Sequence, residues 1–207
     1  MLKKLLMLFK IGRKLSISGA LSSVYEIYSP PLTIKILFSI IGFRFNKKKN
    51  NNISNSGSKL CIALQEMGTT FIKLGQFLAT RPDIIGKEIS KELEKLQDKL
   101  PPFSLNEAKN ILRNELGNEN FKNITEISEP IAAASIAQVH FAKIKNNDKT
   151  KEVALKVLRP EIEKVFNEEL DALMLLAYII QGLIKKTERL KLVEVVQLLR
   201  EITNVEM

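Results

Sequence analysis

One cysteine, Cys61, and one histidine, His140, are all that this 207-residue chain has of either type. A lone thiol excludes an intramolecular disulfide and fits a reducing compartment. With no Cys/His cluster the sequence offers no donor set for a zinc site. Long hydrophobic runs are also missing. Residues 32–45 are apolar but carry Lys35 and Arg44, and residues 173–184 contain Gln181. Crossing a bilayer takes roughly 20 apolar residues, so neither run is expected to span one. The opening MLKKLLMLFKIGRKL has too brief an apolar stretch for a signal peptide. Aromatic residues are not interleaved with the basic ones, and no nucleic-acid motif is present, so nucleic acid is not an expected partner.

Acidic residues are nearly absent from positions 1–50, where Glu26 stands against ten lysines and arginines. The whole net charge of +9 therefore sits in this arm, and positions 51–207 are balanced. Such asymmetry calls for an anionic partner. The first residues read as a basic amphipathic helix lying on a bilayer surface, or as a helix docked on its own core with a solvated basic face. Positions 46–58, NKKKNNNISNSGS, are polar and of low complexity, and 51–58 are expected to link the arm to the rest.

What is there reads as helices, then strands, then helices. Apolar residues at Leu60, Leu64, Met67, Phe71, Leu74 and Leu78 fall at steps of four and three, one stripe of a long helix. Arg81-Pro82-Asp83 ends it. A second helix is expected over 86–99, stopped by Pro101-Pro102. Ser104, with Glu107 three residues later, is a capping-box signature for a third that ends near Gly117. Strand sequence begins near Ile127. Over 136–144, Ile136, Val139, Phe141 and Ile144 are interspersed with Gln138, His140 and Lys143. Asn146-Asn147-Asp148 predicts a hairpin turn and 152–158 the next strand. Arg159-Pro160 closes that strand and opens a helix to about Lys186; a last helix covers 192–207. The order predicts an α+β domain.

The residues that carry chemistry lie in three places. Val153-Ala154-Leu155-Lys156 has the form of the protein-kinase strand whose lysine holds nucleotide phosphates; a bland alternative is an edge-strand lysine facing water. Where a kinase has a glycine-rich loop, this chain has Ala132-Ala133-Ala134-Ser135. Alanine restricts the φ angles that let glycine loops close on phosphates, so a stiffer loop is expected. Lys73 and Gln76 share one helix face, with Gly75 between them costing about 1 kcal/mol in a helix interior unless something packs close. His140 lacks an Asp or Ser companion and is expected to be a strand-surface or packing residue rather than a base.

Together these pieces resemble the UbiB family of atypical kinase-like proteins, called ADCK in eukaryotes. Lys73-Leu74-Gly75-Gln76 matches its K-x-G-Q signature, Ala132–Ser135 with Ile136-Ala137-Gln138-Val139-His140 its alanine-rich loop, and VALKVLRP at 153–160 its third strand. The resemblance covers about residues 58–207. It implies a protein-kinase-like fold in which 59–125 form a helical extension carrying K-x-G-Q and 126–207 a partial N-lobe. It implies adenine nucleotide (ATP or ADP) with Mg²⁺ as cofactor, atypical kinase or ATPase chemistry, and support of ubiquinone or related isoprenoid-lipid biosynthesis, peripherally on the cytoplasmic face of a membrane. By this resemblance the nucleotide site draws on Lys156, Ala132, Ala133, Ala134, Ser135, Lys73 and Gln76. Glu206 would be the carboxylate paired with Lys156, with Glu168 and Glu169 as nearer candidates. The family's H-x-D and D-F-G segments, and with them its Mg²⁺ ligands and catalytic residues, are not in this sequence, so a truncated polypeptide without turnover is expected. The other class of function is a non-catalytic membrane-surface or partner-binding module, driven by the basic arm and meeting anionic lipid or quinone-biosynthesis proteins.

Overall fold

The computed structural model describes residues 2–20, 56–97, 100–146, 149–183 and 190–207. Most of the polar linker, the hairpin-turn residues 147–148 and the expected helix end near Lys186 lie outside the described residues. In chain order the elements are α1 (Leu2–Ile17), α2 (Ser56–Met67), α3 (Thr69–Ala79), α4 (Pro82–Ile85), α5 (Lys87–Leu93) and α6 (Leu105–Phe121). Then come β1 (Ile124–Ala133), β2 (Ala137–Asn146), β3 (Lys149–Leu158), α7 (Ile162–Leu183) and α8 (Leu192–Glu206). The α+β expectation holds. The chain divides into two compact units: residues 1–97 with 165–206, and residues 98–164 with Met207.

The first unit is helical. The stripe that starts at Leu60 runs through two helices rather than one, because Gly68 stands at φ 106° and breaks the ladder between α2 and α3. Leu60, Leu64, Met67 and Phe71 are buried on both sides of the break, so apolar spacing survives while the backbone bends. α5 stops at Leu93, short of the expected 99. Its end tightens through Lys95 N–H to Glu92 C=O and Leu96 N–H to Leu93 C=O, which turns Leu96 into the core. Ser90 donates its hydroxyl to the Ala79 carbonyl at the end of α3, 2.6 Å away. This satisfies one of the carbonyls that a helix C-terminus leaves open.

α1 is apolar on two sides. Ile11 and Gly12 are buried, and Lys4 on that side reaches Asp171 of α7 at 2.9 Å. Asp171 also accepts from Arg200 of α8 at 2.8 Å, and the two cations hold its carboxyl below the usual range. Leu2, Leu5, Leu6 and Phe9 form a second apolar stripe on the opposite side, exposed to solvent.

In the second unit β1, β2 and β3 form an antiparallel sheet in that order. The β2–β3 ladder is unbroken from Ala137 opposite Leu158 to Asn146 opposite Lys149. The β1–β2 ladder is bulged around Pro130, as expected where a residue has no N–H to give. There the Ser128 hydroxyl accepts from Phe141 N–H at 3.0 Å. α6 packs on one face through Ala108 and Leu112 against Val157, with Phe103, Ile127 and Leu155 alongside. Its N-cap is the expected one: Ser104 accepts from Glu107 N–H. Gly117 breaks the helix with φ 76°.

Candidate functional site

The register of β2 and β3 fixes what surrounds Lys156. Side chains alternate across a strand, and directly opposed residues share a face. Val139 lies opposite Lys156, Ala137 opposite Leu158 and Phe141 opposite Ala154; Ala132 of β1 lies opposite Val139. Near the alanine-rich turn, the face turned away from α6 therefore carries Ala132, Val139, Phe141, Ala154 and Leu158 around one cation, Lys156. A cavity of about 730 Å³ that Lys156 also borders is distinct from this face, since its walls come from Asn114 and Glu115 of α6 and from residues 158–164. That volume lies in the range of small-molecule sites.

The alanine-rich segment is where β1 hands over to β2. Ala132 and Ala133 end β1, and Ala134 and Ser135 begin the turn. None of the four has a positive φ, so alanine is tolerated without strain. Ala134 N–H closes the turn on Ala137 C=O at 2.8 Å, and Ser135 is fully buried.

The polar residues after the turn do not face solvent as their spacing suggested. Gln138 and His140 are 0% exposed, whereas Phe141 is 60% exposed. The expectation of Phe141 among the packed residues of β2 is thus reversed. The amide of Gln138 grips the backbone of Phe103: Phe103 N–H donates to Oε1 at 2.9 Å, and Nε2 donates back to Phe103 C=O at 3.1 Å. The second proton of Nε2 goes to His140 Nε2 at 2.9 Å, and His140 Nδ1 lies 2.8 Å from Ser128 C=O. A carbonyl only accepts and an amide nitrogen only donates. His140 is therefore the neutral tautomer with its proton on Nδ1. Of the two expected placements, surface or packing, it takes the packed one, within a polar network whose hydrogen bonds are complete. Sequence reasoning named Gln138 as part of the strand and of the motif but gave it no role. The available signal was Q-x-H on one strand face opposite Val157 and Leu155, two residues that must be inside.

The K-x-G-Q helix belongs to the helical unit. Gly75 is buried, and a Cβ there would collide with Leu96 Cδ1 and stand 2.9 Å from Leu64 Cδ1. Two leucines occupy the space of its missing side chain, which accounts for glycine inside a helix. Lys73 Nζ lies 2.7 Å from Glu206 Oε2, with the two side chains 12% and 38% exposed. The carboxylate that the resemblance assigns to Lys156 is thus within ion-pair distance of the K-x-G-Q lysine, joining α3 to α8. Gln76 is partly buried one turn along. Of the other acidic candidates, Glu168 is exposed and Glu169 half-buried. Burial pushes the Glu169 carboxyl up, against the opposing pull of Thr70 and Lys14. Lys156 and the alanine turn lie in the sheet unit, Lys73, Gln76 and Glu206 in the helical one.

No three His, Cys, Asp or Glu residues are grouped so as to hold a metal ion among the described residues. Nor is any described helix long and apolar enough to cross a membrane.

Comparison with known proteins gives a consistent family. The ABC1 atypical kinase-like domain matches residues 95–207. A protein named probable protein kinase UbiB from Marinobacter nauticus is 40% identical over 141 residues, covering 68% of this chain and 25% of its own. Its namesake from Shewanella baltica is 41% identical over 155 residues, or 73% of this chain and 27% of that protein. The one from Pseudomonas aeruginosa is 34% identical over 174 residues, 84% and 32% respectively. The chain spans between a quarter and a third of the length of these relatives. No solved structure matches it at a significant level.

Proposed function

We propose, on the premise that this chain belongs to the ABC1 atypical kinase-like domain family, that it carries the nucleotide-binding part of a kinase- or ATPase-type protein serving ubiquinone or related isoprenoid-quinone biosynthesis. The ligand is ATP or ADP. Its base lies on the apolar sheet face beside Ala154, and its phosphates meet Lys156 under the turn at Ala132–Ser135. Mg²⁺ would arrive on the phosphates and offset part of their charge, since no metal-holding cluster stands among the described residues. The observation that carries this reading is the register that sets one lysine among Ala132, Val139, Phe141, Ala154 and Leu158. Lys156 is exposed on that face of the edge strand, where an anionic phosphate can reach its ammonium and form charge-assisted hydrogen bonds.

Equilibrium dialysis of purified 1–207 with ATP and ADP tests it. Lys156→Ala removes a charge-assisted contact of about 1.5–3 kcal/mol, so affinity should fall roughly tenfold or more. Equal binding by the variant refutes the assignment. The biosynthetic role is tested in cells: loss of the gene should lower isoprenoid-quinone content, and the Lys156→Ala gene should fail to restore it.

A second reading concerns α1 and is compatible with the first. The stripe of Leu2, Leu5, Leu6 and Phe9 is solvent-facing, with exposed Lys3, Lys10 and Arg13 beside it. This is the make-up of a helix that lies in the plane of an anionic membrane, peripherally on the cytoplasmic face. Binding to anionic vesicles should fall with salt and fall further in Leu5→Ser/Phe9→Ser. Retention of binding by that double variant would show that the stripe is not the contact.

A further inference from the structure

Arg159 is the residue on which the alanine-rich turn hangs. Its main-chain N–H donates to Ile136 C=O at 2.9 Å. Its guanidinium donates to Ala134 C=O through Nε at 3.2 Å and Nη2 at 2.9 Å, and Nη2 also reaches Pro101 C=O at 3.0 Å. The guanidinium carbon stands 5.9 Å from the centre of the Phe103 ring, a cation–π distance. Phe103 is itself gripped by Gln138. One side chain thus joins three segments: residues 101–103 before α6, the turn between β1 and β2, and the end of β3.

A glycine loop is shaped by the ligand it closes on. An alanine turn with every φ negative has fewer conformations, so something else must hold it at the right height above the strand that carries the lysine. Arg159 follows the last residue of β3 and lies three residues beyond Lys156. We infer that Arg159 is a positioning residue: it sets the alanine-rich turn relative to Lys156, so that turn and lysine engage the phosphates of one nucleotide together. This rests on the nucleotide reading above. The planar fork is essential to it, because a lysine ammonium cannot donate two parallel bonds to one carbonyl and a third to another.

The test uses purified 1–207 as wild type, Arg159→Lys and Arg159→Gln, with two readouts. The first is affinity for ATP and for adenosine, which lacks phosphates. Positioning predicts that ATP affinity falls about tenfold in both variants, the equivalent of one charge-assisted bond, while adenosine affinity stays within about twofold. A parallel fall for both ligands overturns the inference, since general loosening of the fold would do the same. Unchanged ATP affinity in Arg159→Lys also overturns it. The second readout is hydrogen exchange at residues 133–137 without ligand, expected to be faster in both variants. If the wild type binds neither ATP nor ADP, the nucleotide reading has failed, and exchange decides the clamp alone. Turn amides as protected in Arg159→Lys as in wild type would then refute it, and faster exchange would uphold it.

Discussion

Replacing Gln138 by leucine keeps nearly the same volume and removes every hydrogen bond its amide makes. Three partners lose their contact: Phe103 N–H, Phe103 C=O and His140 Nε2. The imidazole is completely buried, so its abandoned acceptor carries most of a desolvation penalty of about 1–3 kcal/mol. The Phe103 groups are partly buried and recover some hydration, at roughly 0.5–1 kcal/mol each. Added leucine apolarity returns little, because the site is already closed. The expected cost is about 3 kcal/mol, a large fraction of the roughly 5–15 kcal/mol that holds a typical protein folded. With a urea slope of about 2 kcal/mol/M, the midpoint should move down by about 1.5 M. Urea titration followed by far-ultraviolet circular dichroism measures it. A control at the exposed Lys122–Glu119 pair, Lys122→Ala, should move the midpoint by less than about 0.5 M, since such pairs are worth about 0–1 kcal/mol. If Gln138→Leu is as stable as that control, the network is ornamental and the account of β2 given above is wrong.

Two further predictions come from the helical unit. Glu169 is a carboxyl whose burial raises its pKa, so the folded state holds its proton more tightly than the unfolded one. Stability from this group is therefore greatest below the unfolded value of about 4.3 and declines as pH rises through the folded value. Glu169→Gln should make the protein more stable at pH 7 and remove that part of the pH dependence; a loss of stability at pH 7 would contradict the burial argument. For the Lys73–Glu206 pair the two single variants should differ. Glu206→Gln leaves the more buried ammonium without its carboxylate, at about 2 kcal/mol, between the exposed and buried limits. Lys73→Met leaves a carboxylate that reaches water and should cost less. Thermal unfolding of both variants checks the order, and the reverse order refutes it.

Much of this fold is visible in local chemistry, because the determinants are local. Ser104 and Glu107 mark the start of α6, Arg159-Pro160 marks the passage from β3 to α7, and the β2–β3 hairpin follows from two runs with polar residues between them. Gly68 escaped notice because a left-handed glycine interrupts hydrogen bonds without interrupting the apolar stripe around it. The faces of β2 were misjudged because hydropathy counts Gln138 and His140 as outward residues. Inside, they satisfy one another and the Phe103 backbone, and no single-residue scale contains that cooperation. The motif residues of the candidate site were legible as Lys73, Gln76, Lys156 and the four-residue run Ala132–Ser135. The 2.7 Å contact between Lys73 and Glu206 was not, since nothing near either residue in sequence names the other.

One carboxylate, Asp171 of α7, receives Lys4 from α1 and Arg200 from α8. Groups that share a partner are coupled, so what each contributes to stability does not simply add to the other. With both cations present, each shares the charge of Asp171; with one truncated, the other has more of it. A change near the start of α1 is therefore felt in the energetics of α8, carried by a single side chain on a third helix.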